Sequence, residues 1–303
     1  MTAPRVLVCG TGAMGSLFSG LLSASGVDVW ILGTWHDALK TIGNQGVRIS
    51  RSGATLFQSH PLPASSTFPD EVAFDLVLIL VKTYQTVSLL HNLDGLNPRT
   101  PILSLQNGAG NRELIQAEVI NPVSAGITNL GAHLIEPGMV EWTGDGGTIL
   151  PGGEINRQIF DRNSPINNIT YFTDQIDEAI WRKLVINAAI NPITAIYSIK
   201  NGALLNQNEA RRRMGEIISE CHAIGMQNGY TERLDQTFAR VDEILRATAS
   251  NTSSMLSDIL RGGLTEIESI SGAVIAEGRR LSIPTPANLW AYHKIKALET
   301  QSG

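Results

Sequence analysis

Lys183, Asn187 and Asn191 recur every fourth residue in Trp181-Arg182-Lys183-Leu184-Val185-Ile186-Asn187-Ala188-Ala189-Ile190-Asn191-Pro192, a run otherwise made mostly of apolar side chains. At roughly 100° per residue the three fall within about 80° of one another on a helix and form one polar stripe. Buried polar groups cost free energy unless they are paired. The stripe is therefore either a solvent-facing edge or a surface whose missing partner is a substrate. Pro192 predicts that the helix bends or ends just past Asn191, which opens a space there.

Further polar residues follow the same helix. Asn201-Gly202 comes next, then Thr252-Ser253-Ser254-Met255-Leu256-Ser257-Asp258, a segment that starts a helix with capping residues. Ser254 is a ligand-binding hydroxyl or a plain helix N-cap. Glu266 stands twelve positions on, in Leu264-Thr265-Glu266-Ile267-Glu268-Ser269-Ile270. Ile267, Ile270 and Val274 mark the apolar face of that helix. Glu266 lies beside the face and Glu268 away from it, so only Glu266 suits a buried cleft; its other reading is a surface charge.

The elements that must position a second ligand lie at the other end of the chain. Arg5-Val6-Leu7-Val8-Cys9 reads as a buried parallel strand. Gly10-Thr11-Gly12-Ala13-Met14-Gly15 follows, a full G-x-G-x-x-G, and leads into a helix over Ser16 to Ser23 and a second strand over Val27 to Leu32. In that context the motif is a dinucleotide-binding signature. Gly10 permits the tight turn, Gly12 lets the backbone approach a pyrophosphate, and Gly15 allows close helix–strand packing. The helix N-terminus offers N–H donors to phosphate. NAD sites favour Asp or Glu after the second strand and NADP sites a nearby Arg. Gly33-Thr34-Trp35-His36 supplies neither; the missing acid argues against a committed NAD site, His36 and Lys40 are the candidate cations for a 2′-phosphate, and NADP is expected. Lys82 and Asn107 each sit at the carboxyl end of a predicted strand, where a doubly wound sheet opens its ligand crevice; an exposed loop lysine and an ordinary Asn-Gly turn are the alternatives.

The remaining chain fits two domains: an α/β dinucleotide-binding domain over 1–175 and an all-α domain over 176–303 that carries substrate and catalytic groups. Val123 to Thr128 reads as one strand, and Met139 to Thr143 returns after a Glu136-Pro137-Gly138 turn, predicting an antiparallel extension of the sheet. The stretch 155–168 is polar and poorly periodic. His60 and His133 have no catalytic partner at recognisable spacing. At 303 residues, 43% apolar and 17% charged, the chain can bury a substantial core. A net charge of −5 with no long basic run excludes a nucleic-acid partner. The two cysteines, Cys9 and Cys221, lie far apart, make no metal-ligand cluster and suit a reducing compartment. The apolar run at the N-terminus is too short to span a membrane. A cytoplasmic protein without membrane association is expected.

Taken together the chain resembles the ketopantoate reductase (2-dehydropantoate 2-reductase) family from Val6 almost to Pro286. The resemblance rests on the glycine motif, Val81-Lys82-Thr83, Gln106-Asn107-Gly108, Trp181-Arg182-Lys183 with Asn187 and Asn191, Asn201-Gly202, Ser253-Ser254-Met255 and Thr265-Glu266-Ile267. The lysine helix and the spacing between the last two are the specific parts. The resemblance implies a Rossmann domain, a helical domain and an active site in the cleft between them. It implies that Lys183 is the general acid, and that Asn187, Asn191, Asn201 and Ser254 hold the carboxylate and hydroxyl of a 2-oxo acid. Glu266 is expected to orient substrate or nicotinamide ribose and to pair with Lys183. Lys82, Asn107 and Ala132 are expected to line the NADP site with Gly10, Thr11, Gly12, Ala13, Met14 and Gly15. An ammonium at hydrogen-bond range both stabilises and protonates the oxygen of a ketone under reduction, and partial desolvation lowers its pKa.

Two departures stand out: Thr34 occupies the position of the family's usual arginine, and the segment between Leu150 and Tyr171 is shorter than the expected helical crossover. The expected activity is NADPH-dependent reduction of 2-dehydropantoate to (R)-pantoate. A paralogue acting on another branched 2-oxo acid and a non-catalytic dinucleotide sensor are the alternatives. Oligomeric state is left open, a homodimer among the options.

Overall fold

The computed structural model describes residues 3–162 and 165–301. The chain parts into two compact units, Met1–Gln106 with Asn111–Ile176, and Asn107–Gly110 with Asp177–Gly303. Each has its own hydrophobic core.

The first unit is an α/β structure. Its elements run β1 (Arg5–Cys9), α1 (Ala13–Ala24), β2 (Asp28–Leu32), α2 (His36–Gln45), β3 (Arg48–Arg51), β4 (Ala54–Gln58), β5 (Ala64–Ser65), β6 (Leu76–Ile79), α3 (Thr86–His91), β7 (Ile102–Ser104), α4 (Asn111–Glu118), β8 (Val123–Ala125), β9 (Ile127–Glu136), β10 (Met139–Pro151), α5 (Glu154–Phe160) and β11 (Thr170–Thr173). A six-stranded sheet is ordered β5-β2-β1-β6-β7-β8, and every pair in it is parallel. Counted within the sheet this is the doubly wound 3-2-1-4-5-6 order, whose ligand crevice opens where the order reverses, between β1 and β6. The apolar runs explain the placement. Val6, Leu7, Val8 and Cys9 are covered on both faces, as parallel strands flanked by helices require. Each such aliphatic side chain contributes roughly 1.5–3 kcal/mol on burial.

A second sheet of five strands, ordered β11-β10-β3-β4 with β9 on β10, packs on α1. Here three expectations need correction. The run Val123–Thr128 is not one strand: β8 ends at Ala125 in the first sheet, the chain breaks at Gly126, and Ile127 begins β9 in the second. The β9–β10 hairpin is antiparallel as expected, but it builds this second sheet instead of extending the first. The polar stretch 155–168 holds the short helix α5, which joins β10 to its parallel neighbour β11; residues 163 and 164 lie outside the described residues. Its apolar anchors, Ile159 and Phe160, are fully buried, but seven residues are too few to show a helical period. The β3–β4 hairpin has no clear signal in the sequence: its burial pattern alternates on neither strand.

The second unit is helical: α6 (Ile176–Tyr197), α7 (Asn208–Gln227), α8 (Leu234–Ala247), α9 (Ser254–Leu260), a π-helical turn (Glu268–Gly272), α10 (Ala273–Leu281) and α11 (Pro286–Gln301). Helix α6 is its centre, with Leu184, Val185, Ala188, Ala189, Ile190 and Ile193 all buried. Of the two outcomes expected of Pro192, a bend or an end, the end does not occur. The helix runs on to Tyr197, and the Thr194 hydroxyl donates to the Ile190 carbonyl at 2.9 Å. Proline breaks a helix by losing one N–H bond and crowding a carbonyl, and packing on all sides of α6 outweighs that loss. Cys9 and Cys221 are free, buried thiols; burial pushes Cys221 up to about 12 and Cys9 up further, so both are unreactive core residues. Among the described residues no helix is long and apolar enough to cross a membrane.

Candidate active site

In the first unit, the glycine motif lies at the reversal of strand order. Gly10 ends β1 with a left-handed φ of 127°, and α1 begins at Ala13. Gly15 allows no side chain: a Cβ there meets the Gly10 carbonyl oxygen at 2.0 Å. The constraint is thus the loop's own backbone, a sharper reason than the helix–strand packing expected from sequence. At Gly12 the opposite holds, since a Cβ meets nothing within 4 Å. The space beside Gly12 is open to a ligand. Helix α1 has neither a side-chain cap nor an acidic residue in its first turn. Its N-terminal N–H groups and positive dipole end suit a pyrophosphate. These features fit a dinucleotide. Lys82 follows β6, the strand that pairs with β1 at the reversal, and precedes a short 3₁₀ turn. Thr34, Trp35, His36 and Lys40 beyond β2 are exposed. Ala132 is on β9, paired with Trp142 in the second sheet, and packs against the same core as Ala13 and Met14 of the glycine loop.

In the second unit, a lysine, an amide and a carboxylate join end to end. Lys183 Nζ donates to Asn107 Oδ1 at 2.9 Å, and Asn107 Nδ2 donates to Glu266 Oε2 at 3.0 Å. The amide satisfies a cation with its oxygen and an anion with its nitrogen, as its two-ended chemistry allows. Glu266 is 6% exposed and Lys183 is partly buried. Burial lowers the Lys183 ammonium from its ordinary range to about 8, and the Glu266 carboxylate opposes this by raising it. An ammonium with that pKa near a hydrogen-bonding amide is suited to proton donation near neutral pH.

The Asn107 loop is seated on the π-helical turn. Ala109 N donates to the Ser269 carbonyl at 2.9 Å, and the Ser269 hydroxyl reaches the Asn107 carbonyl at 3.2 Å. Gly108 has a φ of 91°, and a Cβ on it meets the Ser269 carbonyl oxygen at 2.2 Å. Only glycine lets the loop approach so closely. Ser269 was not distinguishable from a helix-surface serine in the sequence, because nothing local announces a π turn. Such turns are frequent at functional sites.

The other expected residues take different places. Asn187 and Asn191 continue the stripe along α6 one and two turns past Lys183. Asn191 is buried, and neither amide hydrogen-bonds to any group among the described residues. Buried amides are almost always paired, and the Asn191 amide has no such partner among the described residues, while Asn187 is half-buried. Asn201 is buried, donates to Thr248 Oγ1 at 3.0 Å, and keeps an unpartnered buried oxygen. Neither Asn201 nor Ser254 is joined to the Lys183–Asn107–Glu266 chain. Ser254 is exposed at the first position of α9. The helix cap that the sequence left open belongs to its neighbour: Ser253 Oγ accepts from Leu256 N at 3.1 Å and from Thr194 Oγ1 at 2.7 Å. That bond ties the start of α9 to α6 and leaves the Ser254 hydroxyl outside the cap.

The chain is similar to known proteins over nearly its whole length. The family model described as ketopantoate reductase PanE/ApbA matches residues 6–154, and that for the C-terminal part of the same family matches 175–299. A 2-dehydropantoate 2-reductase of Pyrococcus horikoshii is 33% identical over 305 residues, covering 99% of each chain. Among solved structures, a PanE/ApbA family ketopantoate reductase from Ralstonia eutropha JMP134 superposes with a TM-score of 0.88 at 25% identity, over 98% of this chain and 99% of that one. A D-mandelate dehydrogenase solved with NADH and anilino(oxo)acetate shares the fold, with a TM-score of 0.89 at 24% identity over 98% of this chain and 99% of that one.

Proposed function

Because the chain belongs to the ketopantoate reductase family and is an oxidoreductase, we propose that it reduces 2-dehydropantoate to (R)-pantoate with NADPH, on the route to pantothenate and coenzyme A. The observation that carries the reading is the hydrogen-bonded chain Lys183–Asn107–Glu266, whose lysine stands on α6 before Asn187 and Asn191, two amides with no hydrogen bond among the described residues. NADPH, when bound, supplies the hydride.

Gly10, Thr11, Gly12, Ala13, Met14 and Gly15 hold its pyrophosphate, with Lys82, Asn107 and Ala132 lining the nucleotide and nicotinamide site. Thr34 leaves the 2′-phosphate without the family's arginine, and His36 and Lys40 are the nearest cations in sequence. Asn187, Asn191, Asn201 and Ser254 hold the carboxylate and hydroxyl of the substrate. Lys183 keeps a proton on Nζ and delivers it to the ketone oxygen as negative charge develops there. Asn107 and Glu266 hold that ammonium in place, and Glu266 keeps it protonated at a higher pH than burial alone allows.

Steady-state turnover of a panel of 2-oxo acids with NADPH and NADH tests this reading. The highest kcat/KM is expected for 2-dehydropantoate with NADPH. A higher value for another branched 2-oxo acid reassigns the substrate, and equal use of NADH overturns the NADP assignment. Discrimination against close analogues is expected to be modest, because one methylene is worth about 1–3 kcal/mol.

A further inference from the structure

We infer that helix α11 fixes the position of Glu266, with Glu299 as a positioning residue that acts through Thr265; the inference rests on Glu266 being part of the reaction site. Three residues of α11 grip the segment on either side of Glu266. Glu299 Oε1 accepts from Thr265 N at 2.8 Å and from Thr265 Oγ1 at 2.7 Å. The same hydroxyl accepts from Ile267 N at 3.2 Å, so the bonds span Glu266 from the residue before to the residue after. On the far side, Tyr292 OH donates to Glu268 Oε1 at 2.6 Å, and Lys296 Nζ stands 3.6 Å from the same oxygen. Lys296 also pairs with Glu299 Oε2 at 2.7 Å. Positions 292, 296 and 299 are spaced four and three apart and so share one face of the helix.

The other end of α11 is held as firmly. Glu220 of α7 accepts from Ala287 N at 2.7 Å and Asn288 N at 2.9 Å, satisfying donors that a helix N-terminus leaves open. Glu299 is 9% exposed. Burial pushes its carboxyl up, yet Lys296 and the two Thr265 donors hold it below the usual carboxylate range. A charge kept buried at that cost, with one oxygen taking both Thr265 donors just before Glu266 and the other paired with Lys296, is an orienting device. Side-chain packing alone has no need of it.

The test compares Glu299→Ala, Glu299→Gln, Thr265→Val and Glu266→Gln by kcat, KM, the pH profile of kcat and thermal unfolding. Displacement of an active-site group by about 1 Å from a remote change costs up to about 10²-fold, so Glu299→Ala is expected to lower kcat by about 10-fold to 10²-fold. Its alkaline limb is expected to move to lower pH, as in Glu266→Gln, because the carboxylate that raises the Lys183 pKa is no longer held near it. Glu299→Gln retains the acceptor oxygen and is expected to recover most of the loss. Should Glu299→Ala fail to fold, Thr265→Val decides: it removes only the hydroxyl bonds and is expected to shift kcat and the limb in the same direction. Folded variants that lose thermal stability alone, with kcat and limb unchanged, overturn the inference. If Glu266→Gln lowers kcat while the Glu299 and Thr265 variants do not, the clamp fails and the site reading stands. If Glu266→Gln also changes nothing, the site reading fails with it.

Discussion

At the scale of single residues, Asn107 is central to the site because it meets both charges. Its oxygen faces Lys183 and its nitrogen faces Glu266. Its sequence context, an Asn-Gly pair after a strand, was equally compatible with a plain turn, and only the long-range bonds separate the two. Lys183 and Glu266 were candidates for a different reason: Lys183 heads a polar stripe in an otherwise apolar helical run, and Glu266 lies beside an apolar face, though each was also compatible with a solvent-facing position. The proton chemistry predicts a pH dependence. Lys183 is a donor only while protonated, and its pKa is about 8. The kcat of the wild type should therefore hold below that pH and fall above it. Glu266 raises the Lys183 pKa, so Glu266→Gln should move the fall to lower pH. An alkaline limb insensitive to Glu266→Gln contradicts the electrostatic coupling.

Among the elements, the G-x-G-x-x-G loop with α1 and helix α6 carry most of the site, and both were visible as patterns. The loop was placed by a strand before it and a helix after it, and α6 by its apolar run. What the sequence hid was of two kinds. Some features depend on contacts distant in the chain, such as the switch of sheet at Gly126 and the seating of Gly108 on Ser269. Others depend on a global balance: Pro192 is a local stop signal that the packing of α6 overrides. Two of the three glycines of the loop yield a contrast. Gly15→Ala puts a Cβ 2.0 Å from the Gly10 carbonyl and should lower the thermal midpoint even without ligand. Gly12→Ala fills only open space and should leave the midpoint unchanged while weakening dinucleotide affinity. Calorimetry and cofactor titration of the two variants check this; equal effects on both readouts contradict the separation of roles.

For the whole molecule, two units divide the labour: an α/β unit that fits a dinucleotide and a helical unit built around a lysine. The fold class was readable because strand patterns stop near Thr173, Pro and Gly thin out beyond it, and a helical pattern takes over. The second sheet was not, since its strands come from segments far apart in the chain. A ligand that binds only the folded state stabilises it by about 2.7 kcal/mol at a concentration near 100 Kd. NADPH should therefore raise the thermal midpoint by more than NADH does at the same concentration. Equal shifts contradict the proposed preference and point to Thr34 having relaxed it.

The general-acid role of Lys183 is the centre of the account, and Lys183→Ala tests it most directly. With 2-dehydropantoate and NADPH both saturating, kcat should fall by about 10²-fold to 10⁴-fold, the usual worth of a positioned proton donor, while NADPH affinity stays near that of the wild type. A kcat within a few-fold of wild type contradicts it.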